Sequence, residues 1–160
     1  PYKGVLYAGL MLTKIGPQIL EFNARFGDPE TQPLLVRMDS DIISIFEACI
    51  DGTLDQCQLN WKNKSSVCVV MAAAGYPDAY QKGKLISGLK NANSIPEVVV
   101  FHAGTKKQNG KIVTNGGRVL GVTATGENTS SAIERAYEAV NQITWEGIHF
   151  RKDIGYRAIS

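Results

Sequence analysis

An apolar run begins within the first turn's length of the chain and limits the possible folds more than any other feature. Val5-Leu6-Tyr7-Ala8-Gly9-Leu10-Met11-Leu12 reads as a buried strand. Such a strand needs cover on both faces and little precedes it, so a fragment of a longer protein, with the missing part upstream, is expected. Gly16-Pro17 then leads into Gln18-Ile19-Leu20-Glu21-Phe22-Asn23. The two runs predict a hairpin whose loop, Thr13 to Pro17, spans about five residues.

Turn formers and charges crowd the next stretch, Arg25-Phe26-Gly27-Asp28-Pro29-Glu30-Thr31-Gln32-Pro33. Pro33 has no N–H to give the carbonyl four residues back, so a rigid, exposed loop is expected across Pro29 to Gln32 rather than a regular helix. Beyond Asp39-Ser40-Asp41, which offers caps, Ile42, Ile45, Phe46, Cys49 and Ile50 form a helical stripe that Gly52 can terminate. That helix is expected to cover one face of the hairpin. Polar residues from Asp55 to Ser66 mark the best boundary.

Past the boundary the texture changes to short strands at Val67 to Ala74, Glu97 to Ala103, Lys111 to Thr114 and Arg118 to Thr125. One amphipathic helix, Ser131 to Ile143, interrupts them, with Ser131 and Glu134 at capping-box spacing. The fold class expected is α+β in two unequal parts, residues 1–62 and 63–160.

Composition excludes several function classes. The chain has 160 residues with 44% hydrophobic and 20% charged residues, an ordinary globular balance. A net charge of +2 gives no reason to expect nucleic acid or an anionic membrane as partner. Cys49, Cys57 and Cys68 have neither zinc-site nor disulfide-framework spacing. No apolar run reaches the roughly 20 residues of a membrane helix, and the amino end lacks the order of a signal peptide. A cytoplasmic location is expected.

Alternation along Leu20-Glu21-Phe22-Asn23 sets Glu21 and Asn23 on one strand face. Residues i and i+2 lie roughly 6.5 to 7 Å apart at Cα, so a carboxylate and an amide oxygen can converge on one hard cation. Mg²⁺ accepts such a sparse pair when substrate phosphates complete its shell. A solvated strand face is the plain alternative. Arg25 lies two residues further along the same side if the strand continues, and its fork suits phosphate oxygens. Gly27 permits a turn, Asp28 can cap it, and Pro29 fixes its direction.

These segments resemble the glycinamide ribonucleotide synthetase (phosphoribosylamine-glycine ligase) family. Arg25 to Pro33 is similar to that family's signature, and Leu20-Glu21-Phe22-Asn23 to its metal-binding strand. The resemblance extends through Val69-Val70-Met71-Ala72-Ala73, Gly75-Tyr76-Pro77, Phe101-His102-Ala103-Gly104-Thr105, Thr114-Asn115-Gly116-Gly117-Arg118-Val119-Leu120 and Arg151-Lys152-Asp153-Ile154-Gly155-Tyr156-Arg157, in order. It implies an ATP-grasp enzyme of purine synthesis, with residues 1–62 ending the ATP-grasp domain and 63–160 forming the small α+β carboxyl-terminal domain. In such enzymes ATP phosphorylates glycine, and phosphoribosylamine attacks the glycyl phosphate to give glycinamide ribonucleotide, ADP and phosphate. By the resemblance, Glu21 and Asn23 hold Mg²⁺ or Mn²⁺, Arg25 is catalytic, and Gly27, Asp28, Pro29 and Glu30 bind substrate. The parent is expected to be monomeric and the fragment alone inactive, since the lysine and hinge contacts to ATP lie elsewhere in such enzymes. One departure is that the preceding strand offers Tyr7, Ala8 and Gly9 where many ATP-grasp relatives carry a further acidic ligand. A second hypothesis is a free-standing, non-catalytic module that binds phosphorylated metabolites or a partner chain.

Other signals are weaker. Asn115-Gly116-Gly117-Arg118 reads first as a hairpin turn between the strands at Lys111 to Thr114 and Val119 to Thr125, with a phosphate contact by Gly116, Gly117 and Arg118 in addition. His102 is expected to be a hydrogen-bonded structural residue, Cys49 a core residue, and Lys106-Lys107 a solvated loop. Arg151-Lys152 is expected to pin the tail to the body.

Overall fold

A computed structural model describes residues 1–159. The chain divides into two compact units, one of residues 1–31 and 38–62, the other of residues 32–37 and everything from Asn63 on. The fold is mixed α+β with antiparallel sheets throughout.

The first unit is built on a hairpin of β1 (Tyr7–Thr13) and β2 (Gly16–Asn23). Thr13 pairs with Gly16, so only Lys14 and Ile15 form the turn, shorter than the expected loop. Gly16, at φ 108, lets the chain reverse this tightly, and the Thr13 hydroxyl donates to Gly16 O at 2.7 Å. Leu20 is an extra residue: Glu21 stands opposite Gly9 and Ile19 opposite Leu10, which makes a bulge between them. The expectation of a buried strand does not hold within this chain. Leu6, Leu10, Met11 and Leu12, like Ile19, Leu20 and Phe22, are exposed.

After the hairpin, α1 (Thr31–Leu35) takes Thr31 and Gln32 into a short helix, against the expectation of a loop. Pro33 occupies the first turn, where a missing N–H costs nothing because no carbonyl awaits it. Helix α2 (Ile42–Asp51) has the expected caps: Asp41 Oδ1 accepts from Ile43 N at 2.9 Å, and Gly52 closes it at φ 76. It does not lie on the hairpin as expected. Phe46 instead meets Phe26 at 6.3 Å between ring centroids, beside a groove of about 480 Å³ lined also by Val5, Ile42 and Leu54. Cys49 lines that groove half-buried and is not a core residue.

The second unit holds the core. Strands β3 (Ser65–Ala73), β4 (Val98–His102), β7 (Arg118–Gly126) and β8 (Ile148–Phe150) form a sheet in the order β4-β7-β3-β8. Burial along β7 is continuous rather than alternating, because both faces are covered. Helix α4 (Thr129–Val140) lays Ala132, Ile133, Ala136, Ala139 and Val140 on one face. Segment 32–37 lies on the other: Ser66 Oγ donates to Pro33 O at 2.6 Å, and Gln32 stands beside Gly121. Burying roughly 25 cal/mol per Å² of apolar surface makes this packed sheet the main source of the unit's stability. The box at the start of α4 pairs Asn128 with Ser131, not Ser131 with Glu134.

Sequence patterning does not reveal α3 (Leu89–Asn93), β8 or β5 (Thr105–Gln108). Lys106-Lys107 is therefore strand, not loop. It pairs with β6 (Lys111–Thr114) across Asn109 and Gly110, both at positive φ as a tight two-residue turn requires. Strands β6 and β7 do not pair, so the hairpin expected around Asn115 to Arg118 is also corrected. The tail is held by Tyr137, whose hydroxyl donates to Arg151 O at 2.7 Å and accepts from Ile154 N at 3.1 Å. The Arg151 side chain instead pairs with Asp153, at 2.9 and 2.7 Å.

Candidate functional site

Strand β2 carries Glu21 and Asn23 on one face, and Asn23 Nδ2 donates to Glu21 Oε1 at 3.2 Å. Register with β1 sets Gly9 opposite Glu21 and Tyr7 opposite Asn23. Cross-strand partners share a face, so Tyr7 and Gly9 floor the same patch. A Cβ on Gly9 would lie 3.2 Å from Glu21 Cγ, so glycine leaves the carboxylate its space.

Arg25 does not join the pair. Strand β2 ends at Asn23, alternation stops there, and Arg25 Nη1 donates to Phe26 O at 2.8 Å. The loop that follows is compact: Thr31 N donates to Gly27 O at 3.1 Å, the Thr31 hydroxyl also bonds that carbonyl, and the Asp28–Pro29 peptide is cis. Gly27 is buried, and a Cβ on it would lie 2.3 Å from Glu30 Oε2.

Sequence reasoning gives Tyr7 only a place, where many ATP-grasp relatives carry an acidic ligand, and no role. The Tyr7 hydroxyl donates to Glu30 Oε1 at 3.3 Å, tying the loop to the strand that floors the Glu21–Asn23 patch. The Glu30 carboxylate, then burial, then the hydrogen bond and Glu21, push the Tyr7 phenol above its ordinary pKa. Glu21 and Glu30 thus act electrostatically on one hydroxyl. Hairpin register was the available signal, since it alone puts Tyr7 beside Asn23.

The donor chemistry fits a divalent cation of the Mg²⁺ kind. Both side chains offer oxygen, one of them charged, and they are already adjacent. Among the described residues no group of three or more His, Cys, Asp or Glu could enclose a metal. A cation here would depend on outside oxygens to complete its shell, as Mg²⁺ does when it rides on substrate phosphates.

Gly116, Gly117 and Arg118 lie in the second unit. Neither glycine has the left-handed φ of an alternating anion nest. Gly116 serves close approach, since a Cβ there would lie 2.8 Å from Gly104 Cα, and Asn115 N donates to Gly104 O at 2.7 Å. Arg118 Nε donates to Tyr76 Oη at 2.9 Å. On the neighbouring strand His102 Nδ1 lies 3.0 Å from Thr105 Oγ1, the structural hydrogen bond expected of it.

Residues 66–157 match the family described as phosphoribosylglycinamide synthetase, C domain, and residues 1–31 match phosphoribosylglycinamide synthetase, ATP-grasp (A) domain. The chain is 55% identical over 161 aligned residues to phosphoribosylamine–glycine ligase of Vibrio parahaemolyticus, covering 100% of this chain and 37% of that protein. It is similar to the crystal structure of phosphoribosylamine–glycine ligase from Thermotoga maritima, with a TM-score of 0.77 and 39% identity over 92% of this chain and 36% of that one. A likeness to the biotin carboxylase domain of 2-oxoglutarate carboxylase from Hydrogenobacter thermophilus, at 14% identity and TM-score 0.59 over 93% of this chain and 33% of that one, concerns the fold alone. The chain spans about 37% of the length of the curated relatives it matches.

Proposed function

Because this chain belongs to the phosphoribosylglycinamide synthetase family, we propose that it forms part of an enzyme ligating glycine to 5-phosphoribosylamine at the expense of ATP. The observation that carries the proposal is the Glu21–Asn23 pair beside a loop held to the same hairpin by Tyr7 and Glu30. A glycine carboxylate oxygen attacks the γ-phosphorus, the bond to the bridging oxygen breaks, and ADP leaves. The amine nitrogen of phosphoribosylamine then attacks the glycyl carbonyl carbon, expels phosphate with the electron pair of the C–O bond, and loses a proton. Neither step needs a protein nucleophile; positioning and charge neutralisation suffice.

Glu21 and Asn23 hold Mg²⁺ or Mn²⁺, which when bound neutralises charge on the phosphate oxygens. Arg25 stabilises the transferring phosphoryl group with its fixed positive charge. Gly27, Asp28, Pro29 and Glu30 border the glycine and phosphoribosylamine sites. Arg118 meets a substrate phosphate through its guanidinium, without a backbone nest from Gly116 and Gly117. Residues 1–62 complete the ATP-grasp domain and 63–160 form the carboxyl-terminal domain of a monomeric, cytoplasmic enzyme that engages neither nucleic acid nor membrane. The 160-residue chain by itself is inactive.

Glu21→Ala in the intact enzyme tests the reading, with ADP release measured across an Mg²⁺ titration. A fall in kcat of about 100-fold or more is expected if this carboxylate neutralises transferring charge. An unchanged rate and unchanged metal dependence would refute the assignment.

A further inference from the structure

Tyr76 has a surrounding more restrictive than an exposed loop tyrosine needs. Strand β3 ends at Ala73, whose N–H donates to Gly117 O at 2.8 Å, and Tyr76 N donates back to Ala73 O at 3.2 Å. Gly75 turns the chain at φ 89, where a Cβ would lie 2.2 Å from Ala79 O. The backbone under Tyr76 is thereby fixed against the start of β7. Its ring lies on Gly117, where a Cβ would stand 2.1 Å from Tyr76 Cδ2. Any residue but glycine at 117 would push the ring away.

The ring so placed meets the neighbouring cation. Tyr76 Oη accepts from Arg118 Nε at 2.9 Å, and Arg118 Cζ stands 5.8 Å from the ring centroid. A bond at Nε sets the plane of the guanidinium, and the Nη groups at the other end of the fork carry the paired donors that suit a phosphate. From these contacts we infer that Tyr76 is a positioning residue, orienting the Arg118 fork for a phosphate-bearing substrate, with Gly117 as the seat of its ring. The inference rests on the proposed phosphate contact of Arg118.

The test uses the full-length protein and the product glycinamide ribonucleotide as probe, with its Kd read by calorimetry. Tyr76→Phe keeps the ring and removes only the acceptor. A loss of one hydrogen bond to a charged group predicts binding about 10-fold weaker, and Arg118→Ala at least that much weaker. The double variant should bind no more weakly than Arg118→Ala alone, because Tyr76 acts through Arg118. If Arg118→Ala leaves Kd unchanged, the phosphate contact is refuted. If Arg118→Ala weakens binding while Tyr76→Phe does not, the positioning role alone is refuted.

A second readout does not depend on the phosphate. The Arg118 Nε–H resonance of the ¹⁵N-arginine-labelled protein should be protected from solvent exchange in the parent and lose that protection in Tyr76→Phe. Equal exchange in both would overturn the inference. If Tyr76→Phe does not fold, Tyr76→Leu supplies apolar bulk with no acceptor and should lose the same protection; its retention would overturn the role equally.

Discussion

Glu97 sits at φ 65, a left-handed conformation uncommon for a residue with a side chain. Its surroundings hold it there: Thr125 N donates to Glu97 O at 3.0 Å, Lys64 Nζ lies 2.8 Å from Oε1, and the Thr125 hydroxyl bonds the other carboxylate oxygen. The Lys64 and Thr125 hydrogen bonds, in that order, keep the carboxyl below its ordinary pKa. A depressed folded-state pKa stabilises the fold above the unfolded value, and that contribution disappears as pH falls through the folded one. Glu97→Gln should therefore cost stability at pH 7 and progressively less as pH falls below the ordinary carboxylate range, checked by melting temperature across a series of falling pH. With the side chain 39% exposed, solvent screening keeps the pH 7 cost below about 1 kcal/mol. At this scale the sequence revealed what local periodicity controls. Glu21 and Asn23 share a face because they are two apart on one strand. Arg25 fails that rule because the strand has ended, and the partners of Tyr7 were not legible because they come from register, which alternation does not specify.

Helix α4 is the element whose ends matter most, since its five buried side chains cover the sheet. Asn128 accepts from Ser131 N at 2.9 Å, and Ser131 Oγ answers the Asn128 N–H at 3.2 Å. Asn128→Ala should cost about 1 kcal/mol, seen as a lower urea midpoint with unchanged m. The apolar stripe of this helix was legible in the sequence, but its first turn was not, because Thr129 and Ser130 carry no hydrophobic signal. Strand β5 escaped for a related reason. Lys106, Lys107 and Gln108 are exposed, so neither residue type nor alternation distinguishes the strand from a solvated loop. Its marker was Asn109-Gly110, a turn signal whose flanks hid it. The supposed hairpin into β7 failed because β7 takes both its partners, β3 and β4, from distant sequence.

Across the whole molecule the packed apolar interior belongs to the second unit, from Val67 to Trp145. In the first unit Ala48 is the one buried hydrophobic residue among those described. Opening free energy follows buried contacts, so amide exchange in this chain should be slowest in β3, β7 and α4 and fastest in β1 and β2. Mass-resolved hydrogen exchange checks this, and comparable protection in both units would contradict it. The extra residue at Leu20 has a consequence for the hairpin as a ribbon. It works as a phase shifter: everything toward the tip is turned relative to Tyr7, Glu21 and Asn23, so deleting one leucine would rotate the outer ribbon while leaving the oxygen pair in place.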